Sequence, residues 1–185
     1  LTSESTGGVR RASAGARGMA LAGWLALFAG CTGGPSMSND PQLSELATRY
    51  VRSALQFADN PGVRAEGIEA AGALGTDFMS LIRAGLVDAH PAVRFAACLE
   101  LGRKRDRESL VQFRALLEDA DPSVRVAACF SLERLGDGSH RARWIDALRN
   151  NGDAAVRRNA VLALGQLEDE AVLPLLKRAA EEDHD

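Results

Sequence analysis

The sequence predicts an all-α fold, a right-handed α–α superhelix of about four stacked two-helix repeats with a capping helix. The first observation is composition, because 46% of the 185 residues are hydrophobic but only 5% are aromatic, which favours helices over strands. The second is a turn followed by Val-Arg, which occurs four times. The valines of these turns lie 30, 31 and 32 residues apart, at Val63, Val93, Val124 and Val156. Spacing of this regularity is typical of a repeat array.

The third observation is the pattern that follows each valine. Four positions later stands a small residue: Gly67, Ala97, Ala128 and Ala160. Five positions later stand Ile68, Cys98, Cys129 and Val161, and eight positions later Ala71, Leu101, Leu132 and Leu164. These offsets place the side chains on one helix face, and the small residue lets a second helix approach closely. Because a two-helix unit cannot bury this face alone, we expect the units to stack.

Turn residues predict where each of these helices begins. In three repeats a proline stands two positions before the valine, and proline suits the first helical position, where its missing N–H costs nothing. Asn60, Asp121 and Asp153 are predicted to cap the exposed N–H groups, and His90 takes the same place in the second repeat. Further amphipathic helices lie between the repeated ones. Helices near 42–57 and 169–181 are predicted to close the two ends of the array.

Two phrases resemble a known repeat family. Residues 121–128 read Asp-Pro-Ser-Val-Arg-Val-Ala-Ala, and residues 156–165 read Val-Arg-Arg-Asn-Ala-Val-Leu-Ala-Leu-Gly. Both resemble HEAT repeats, particularly the short type named after phycobilisome lyases, over roughly residues 58–180. The resemblance implies a solenoid that binds another protein. It also leaves open an alternative, an enzyme or enzyme accessory of the bilin-lyase-like type.

A periodic ladder of arginines accompanies the repeats. It consists of Arg64, Arg94, Arg125 and Arg157. We expect each arginine to bond a turn aspartate, such as Asp121 or Asp153, or a carbonyl of a neighbouring unit, a role that suits the arginine fork. The alternative is a basic stripe that binds an acidic partner.

Other residues that could form a site favour core roles. Cys98 and Cys129 occupy equivalent positions in adjacent units, and packed helices lie about 8–10 Å apart, too far for a disulfide, so we expect buried free thiols. Trp144 aligns with Gln112 and Leu81 and is either a core residue or an exposed anchor for a partner. The sequence offers no catalytic, cofactor-binding or metal-binding set, since the three histidines are scattered.

The N-terminal residues 1–30 predict an export signal. Basic residues precede an uncharged apolar run over residues 19–30, which is too short to span a bilayer. Residues 27–31, Leu-Phe-Ala-Gly-Cys, resemble the lipobox of bacterial lipoproteins. This resemblance implies cleavage before Cys31 and lipidation of Cys31, and Thr32 is typical of lipoproteins sorted to an outer membrane. Residues 31–41 then form a flexible tether, 42–181 the repeat domain and 182–185 a frayed acidic tail.

The net charge of the chain bears on whether its partner is a nucleic acid or a protein. The chain has 22 Lys and Arg against 25 Asp and Glu, and residues 1–30 hold three of the bases and one acid, so the remainder carries about −5. Such a body would repel phosphate backbones, so we expect no nucleic-acid partner. The predicted function is a non-enzymatic protein–protein interaction scaffold, exported and lipid-anchored on the periplasmic side of a bacterial membrane. Its partner is expected to be a protein or peptide, with no cofactor and no small-molecule substrate.

Overall fold

The computed structural model describes residues 41–56, 59–75, 78–167 and 169–182. The predicted export signal, Cys31 and the tether up to residue 40 lie outside these residues. The described part of the chain contains nine α-helices and no strand. The helices are α1 (Pro41–Gln56), α2 (Pro61–Leu74), α3 (Met79–Gly85), α4 (Pro91–Arg103), α5 (Leu110–Leu116), α6 (Pro122–Arg134), α7 (Arg141–Asn150), α8 (Ala154–Gly165) and α9 (Leu173–Glu182). Short 3-10 helices at Arg107–Ser109, Gly138–His140 and Glu170–Val172 precede α5, α7 and α9.

The helices form stacked two-helix units. Helices α2, α4, α6 and α8, which carry the Val-Arg pairs, pack on one another in chain order. Helix α1 packs on α2, α3 on α4, α5 on α6 and α7 on α8. These four pairs are units 1 to 4, and α9 closes the array against α8. The predicted all-α solenoid of about four repeats with a capping helix is therefore confirmed.

The small residues of the repeat let the two helices of a unit approach each other closely. Gly67, Ala97, Ala128 and Ala160 are all buried. A Cβ added to Gly67 would lie 3.0 Å from the Cβ of Ala54 in α1, so a larger side chain there would push the two helices apart. The leucines eight positions after the valines, Leu101, Leu132 and Leu164, are completely buried. One predicted core residue is exposed: Val161 shows 39% of its surface, because only α9 follows unit 4.

The helices that pair with the Val-Arg helices align differently from the alignment predicted for Trp144. Ile82, Phe113 and Trp144 lie 31 residues apart and are each completely buried. Leu81 and Gln112, with which the sequence aligned Trp144, are exposed. The alignment was wrong by one residue. Trp144 is a core residue, and the structure corrects its assignment as a possible exposed partner contact.

The predicted helix starts are confirmed. Pro61, Pro91 and Pro122 are the first residues of α2, α4 and α6. The side chains of Asn60, Asp121 and Asp153 accept hydrogen bonds from the first backbone N–H groups of the helices they precede. His90 does the same, since its Nδ1 accepts from the N–H of Ala92 at 3.2 Å.

Helices α4 and α6 end in turns of the same geometry, but a different residue type stands at the position with positive φ. The N–H of Asp106 bonds the carbonyl of Leu101 and the N–H of Asp137 bonds that of Leu132, both at 2.9 Å. The residue before each of these aspartates has a positive φ, 96° at Gly136 and 53° at Arg105. Glycine adopts this conformation freely, whereas Arg105 pays a steric penalty for it.

Candidate protein-binding site

Two arginines of the ladder join successive units through a turn aspartate. Arg64 donates from Nε and Nη2 to the carboxylate of Asp88, at 2.9 Å each. Arg94 donates in the same way to Asp119, at 2.8 and 2.7 Å. In both cases the arginine lies in one unit and the aspartate in the turn of the next unit. Each bidentate ion pair therefore links two neighbouring units.

Each aspartate also builds its own turn. Oδ1 of Asp88 accepts from the backbone N–H of His90 at 2.8 Å, and Oδ1 of Asp119 accepts from that of Asp121 at 2.9 Å. The hydrogen bond from Arg64 is the largest cause that holds the pKa of Asp88 below its usual value. At Asp119 burial acts to raise the pKa, but the bonds from Arg94 and from the N–H of Asp121 outweigh it and the pKa is lowered. Both carboxylates are therefore held in the charged form.

These partners differ from the predicted ones. Asp121 and Asp153 bond only the first N–H groups of α6 and α8 and form no ion pair with an arginine in the described part of the chain. The carboxylates of the ladder stand two positions before the caps, at Asp88 and Asp119. Their spacing of 31 residues, with an Asn at the matching position 151, is the sequence signal that could have identified them.

We call each ladder arginine with its turn carboxylate a rung. The third rung, at Arg125, is open, which means that its carboxylate is missing. Arg125 donates from Nη1 to the carbonyls of Asp119 and Ala120, at 2.7 and 3.1 Å, just as Arg94 does to those of Asp88 and Ala89. The position that should supply its carboxylate is Asn151, whose Oδ1 accepts from the N–H of Asp153 at 2.9 Å. No acceptor in the described residues bonds Nε or Nη2 of Arg125. The two donors that hold a carboxylate in the earlier rungs are unused here.

A cleft of about 290 Å³ lies beside Arg125, between α6 and α7. Its walls include Cys129 from α6, Arg143 and Asp146 from α7, and Asn151. Arg143 also donates to the carboxylate of Glu118 at 3.1 Å and to the carbonyl of Leu117 at 3.2 Å. The cleft therefore presents two guanidinium groups.

An equivalent but smaller cleft, of about 180 Å³, lies between α2 and α3. There Arg64 is bonded to Asp88, and Leu81 occupies the position that Arg143 has in unit 4. The two clefts differ in the group that each leaves for a ligand. The cleft between α2 and α3 has a complete ion pair and an apolar wall. The cleft between α6 and α7 has an arginine without a carboxylate partner among the described residues and a wall that carries a second arginine.

The repeat architecture agrees with comparisons to known proteins. Two stretches, residues 79–142 and 110–185, match the family model described as HEAT repeats. Together they cover more than half of the chain, and the first begins at Met79, the first residue of unit 2. The chain belongs to the HEAT-repeat family. No curated protein matches it.

Two cysteines of this HEAT-repeat protein are buried in the stack. Cys98 and Cys129 are free, and Sγ of Cys98 lies 3.3 Å from Oγ of Ser131 in the next unit. Burial raises the pKa of the Cys98 thiol to about 12 and that of Cys129 to about 11. Since the thiolate is the nucleophile, neither is activated for covalent chemistry near neutral pH.

Neither a metal-binding cluster nor a membrane-spanning helix occurs among the described residues of the HEAT array. In the described ranges, no group of three or more His, Cys, Asp and Glu side chains is arranged to hold a metal ion. None of the helices described is long and apolar enough to cross a membrane.

Proposed function

We propose that this HEAT-repeat protein is a non-enzymatic scaffold that binds a partner protein while anchored by lipid to the periplasmic side of a bacterial membrane. The observation that carries the proposal is the array itself. Four stacked units give a continuous surface, and HEAT repeats generally act as protein-interaction scaffolds. Binding on such a surface requires shape and charge complementarity and no chemical step.

The anchor is inferred from the residues before the array. An apolar run over residues 19–30 ends in Leu-Phe-Ala-Gly-Cys, and α1 begins at Pro41, so Cys31 stands ten residues before the first helix. Acylation of Cys31 would leave a short tether between the lipid and unit 1. Two or three acyl chains hold a protein on a bilayer far more firmly than a single chain does.

The test compares the wild-type chain with Cys31→Ala and with Cys129→Ala as a matched control. Cells are fractionated and the N-terminal peptide of each protein is weighed by mass spectrometry. We expect the wild type and Cys129→Ala in the membrane fraction, each with an N-terminal peptide that starts at an acylated Cys31. Cys31→Ala should yield no acylated peptide and should retain residues before position 31.

An unmodified Cys31 in the wild-type chain, with residues 1–30 intact and the protein in the cytoplasm, would contradict the anchor. The HEAT-repeat assignment would be unaffected by that result, because it depends on residues 79–185.

A further inference from the structure

We propose that the cleft between α6 and α7 binds a side-chain carboxylate from an acidic segment of a partner protein, held by Nε and Nη2 of Arg125. The inference deepens the proposed function, on which it rests, because it names the chemistry of the partner and the point where the partner is held.

The earlier rungs of the ladder show which group belongs in this position. In units 1 and 2, Nε and Nη2 of the ladder arginine hold the two oxygens of an aspartate, with all four bonds between 2.7 and 2.9 Å. Arg125 has the same place in its helix and the same carbonyl bonds through Nη1. Its guanidinium is therefore oriented as in the filled rungs, with the carboxylate missing.

The side chain of Asn151 explains why the rung is open. At Asp119, Oδ1 serves both the turn N–H and Nη2 of Arg94, while Oδ2 serves Nε. Asn151 retains the turn bond through Oδ1 but has an NH₂ group in place of Oδ2. An NH₂ group is a donor, as is Nε–H of Arg125, so the two cannot bond. Substitution of one oxygen by nitrogen therefore preserves the turn and removes the acceptor for Nε of Arg125.

The surroundings of Arg125 favour a carboxylate. Arg143 lines the same cleft, and its ion pair with the exposed Glu118 offsets part of the positive charge that it adds. The acid in the wall, Asp146, accepts a hydrogen bond from Nδ2 of Asn150 at 2.6 Å and forms no ion pair with either arginine. A cleft of about 290 Å³ lies at the lower limit of small-molecule sites and suits one acidic side chain with its neighbouring backbone.

Arginine is suited to this role because its planar fork meets a carboxylate with two parallel hydrogen bonds, and the partial burial of Arg125 shields them from water. An amide of the same shape offers only one oxygen and no charge. The site should therefore distinguish Asp from Asn in a partner segment.

The test uses the full ¹⁵N-labelled chain and records the Nε–Hε resonances of its arginines by NMR. The probe is N-acetyl-aspartate amide, added at constant ionic strength near neutral pH, with N-acetyl-asparagine amide as the neutral control. We expect the Arg125 resonance to move saturably with the aspartate compound alone. The Arg94 resonance should not move, because its fork is already occupied by Asp119.

The decisive variant is Asn151→Asp, which supplies the missing carboxylate from within the chain. It should weaken binding of the aspartate probe at least tenfold and raise the melting temperature by a few degrees. The matched control, Asn150→Asp, adds the same charge to the same cleft but outside the ladder position. It should weaken binding less than Asn151→Asp does and should not raise the melting temperature.

The proposal is overturned if the Arg125 resonance fails to move, or if it moves equally in the wild type and in Asn151→Asp. Neither result would change the outcome of the test of the proposed function, because acylation of Cys31 and the membrane fraction are measured independently of the cleft.

Discussion

Arg94 holds both carboxylate oxygens of Asp119, a residue 25 positions later in the chain, at 2.8 and 2.7 Å. Its remaining Nη1 donates to the carbonyls of Asp88 and Ala89 in the turn before its own helix. One side chain therefore fixes two successive turns of the array. With side-chain exposures of 16% and 9%, the pair is shielded from water more than an ordinary surface ion pair, which contributes little.

Asp119→Asn should destabilise the protein. Asn151 shows that asparagine preserves the turn bond, so the substitution removes mainly the charged bond to Arg94. We expect the free energy of unfolding, measured by urea denaturation, to fall by about 1–3 kcal/mol. Asp121→Asn is the control and should change it by less than about 0.5 kcal/mol, because asparagine caps a helix as well as aspartate does. Equal losses in the two variants would mean that the ladder pair has no special role.

Stability should fall as the pH is lowered through the range in which the turn carboxylates take up protons. The pKa of Asp88, bonded to Arg64, and that of Asp106, bonded to Arg83, are both lowered. A lowered pKa means that the unfolded chain binds protons first, so these groups stabilise the fold above the ordinary carboxyl pKa of about 4 and lose that effect below it.

The measurement is the melting temperature as a function of pH. We expect these carboxylates to give no slope between about pH 5 and 7 and a decline below about pH 4. Asp119→Asn removes one carboxylate with a lowered pKa and should decline less steeply. A variant curve parallel to that of the wild type throughout the acid range would contradict the account.

Trp144→Ala should cost about 3–5 kcal/mol of the free energy of unfolding, because it removes the largest completely buried side chain among the described residues. Trp144→Phe should cost much less. The indole N–H has no acceptor in the described part of the chain, and Phe113 occupies the equivalent position in unit 3. Urea denaturation of both variants decides the point. A loss below about 1 kcal/mol for the alanine variant would be inconsistent with a core role.

Arg105→Gly should stabilise the protein. Arg105 is exposed, its side chain forms no hydrogen bond or ion pair with the residues that the structure describes, and its φ of 53° is one that glycine adopts without strain. We expect a gain of about 1 kcal/mol in the free energy of unfolding by thermal or urea denaturation. Lys104→Gly is the control and should destabilise, because Lys104, the residue that follows α4, has a right-handed conformation. A loss of stability in Arg105→Gly would refute the strain argument.

The stack of units could be predicted from the sequence because spacing alone carries that information. A Val-Arg pair recurs every 30–32 residues, with small and apolar residues at helical offsets. This pattern shows which face of each helix is buried and that the face must pack against another helix of the array. The caps were predictable for the same reason, since Asn60, Asp121 and Asp153 act on N–H groups two or three residues away. A cap can be predicted from the sequence because the capping side chain and its N–H partners are close along the chain.

Contacts between units were harder to predict. Asp119 and Asp121 lie two positions apart in one turn, and the sequence signal that separates them is the recurrence of aspartate at Asp88, 31 residues before Asp119. The register of Trp144 was missed by one residue because unit 4 has an extra residue after it: Asn151 stands seven positions after Trp144, whereas Asp119 stands six after Phe113. Val161 is exposed because the array ends beside it, a consequence of position in the stack and not of residue type.

The open rung at Arg125 could not be recognised from the sequence for a related reason. Asn151 looks like a conservative replacement of a turn aspartate, and in the turn it is one. Its effect appears on the preceding unit, where Arg125 bonds no carboxylate of the described residues.

The most direct test of a partner-binding scaffold is photo-crosslinking in the native cells, with a photoreactive phenylalanine analogue at Asn150, an exposed residue in the wall of the cleft. It is recorded for the otherwise wild-type chain and for the same chain carrying Asn151→Asp. We predict one discrete protein adduct whose crosslinked segment contains an Asp or Glu, and its loss in the Asn151→Asp chain. No adduct from position 150, or an adduct of equal yield in both chains, would contradict a partner held by Arg125.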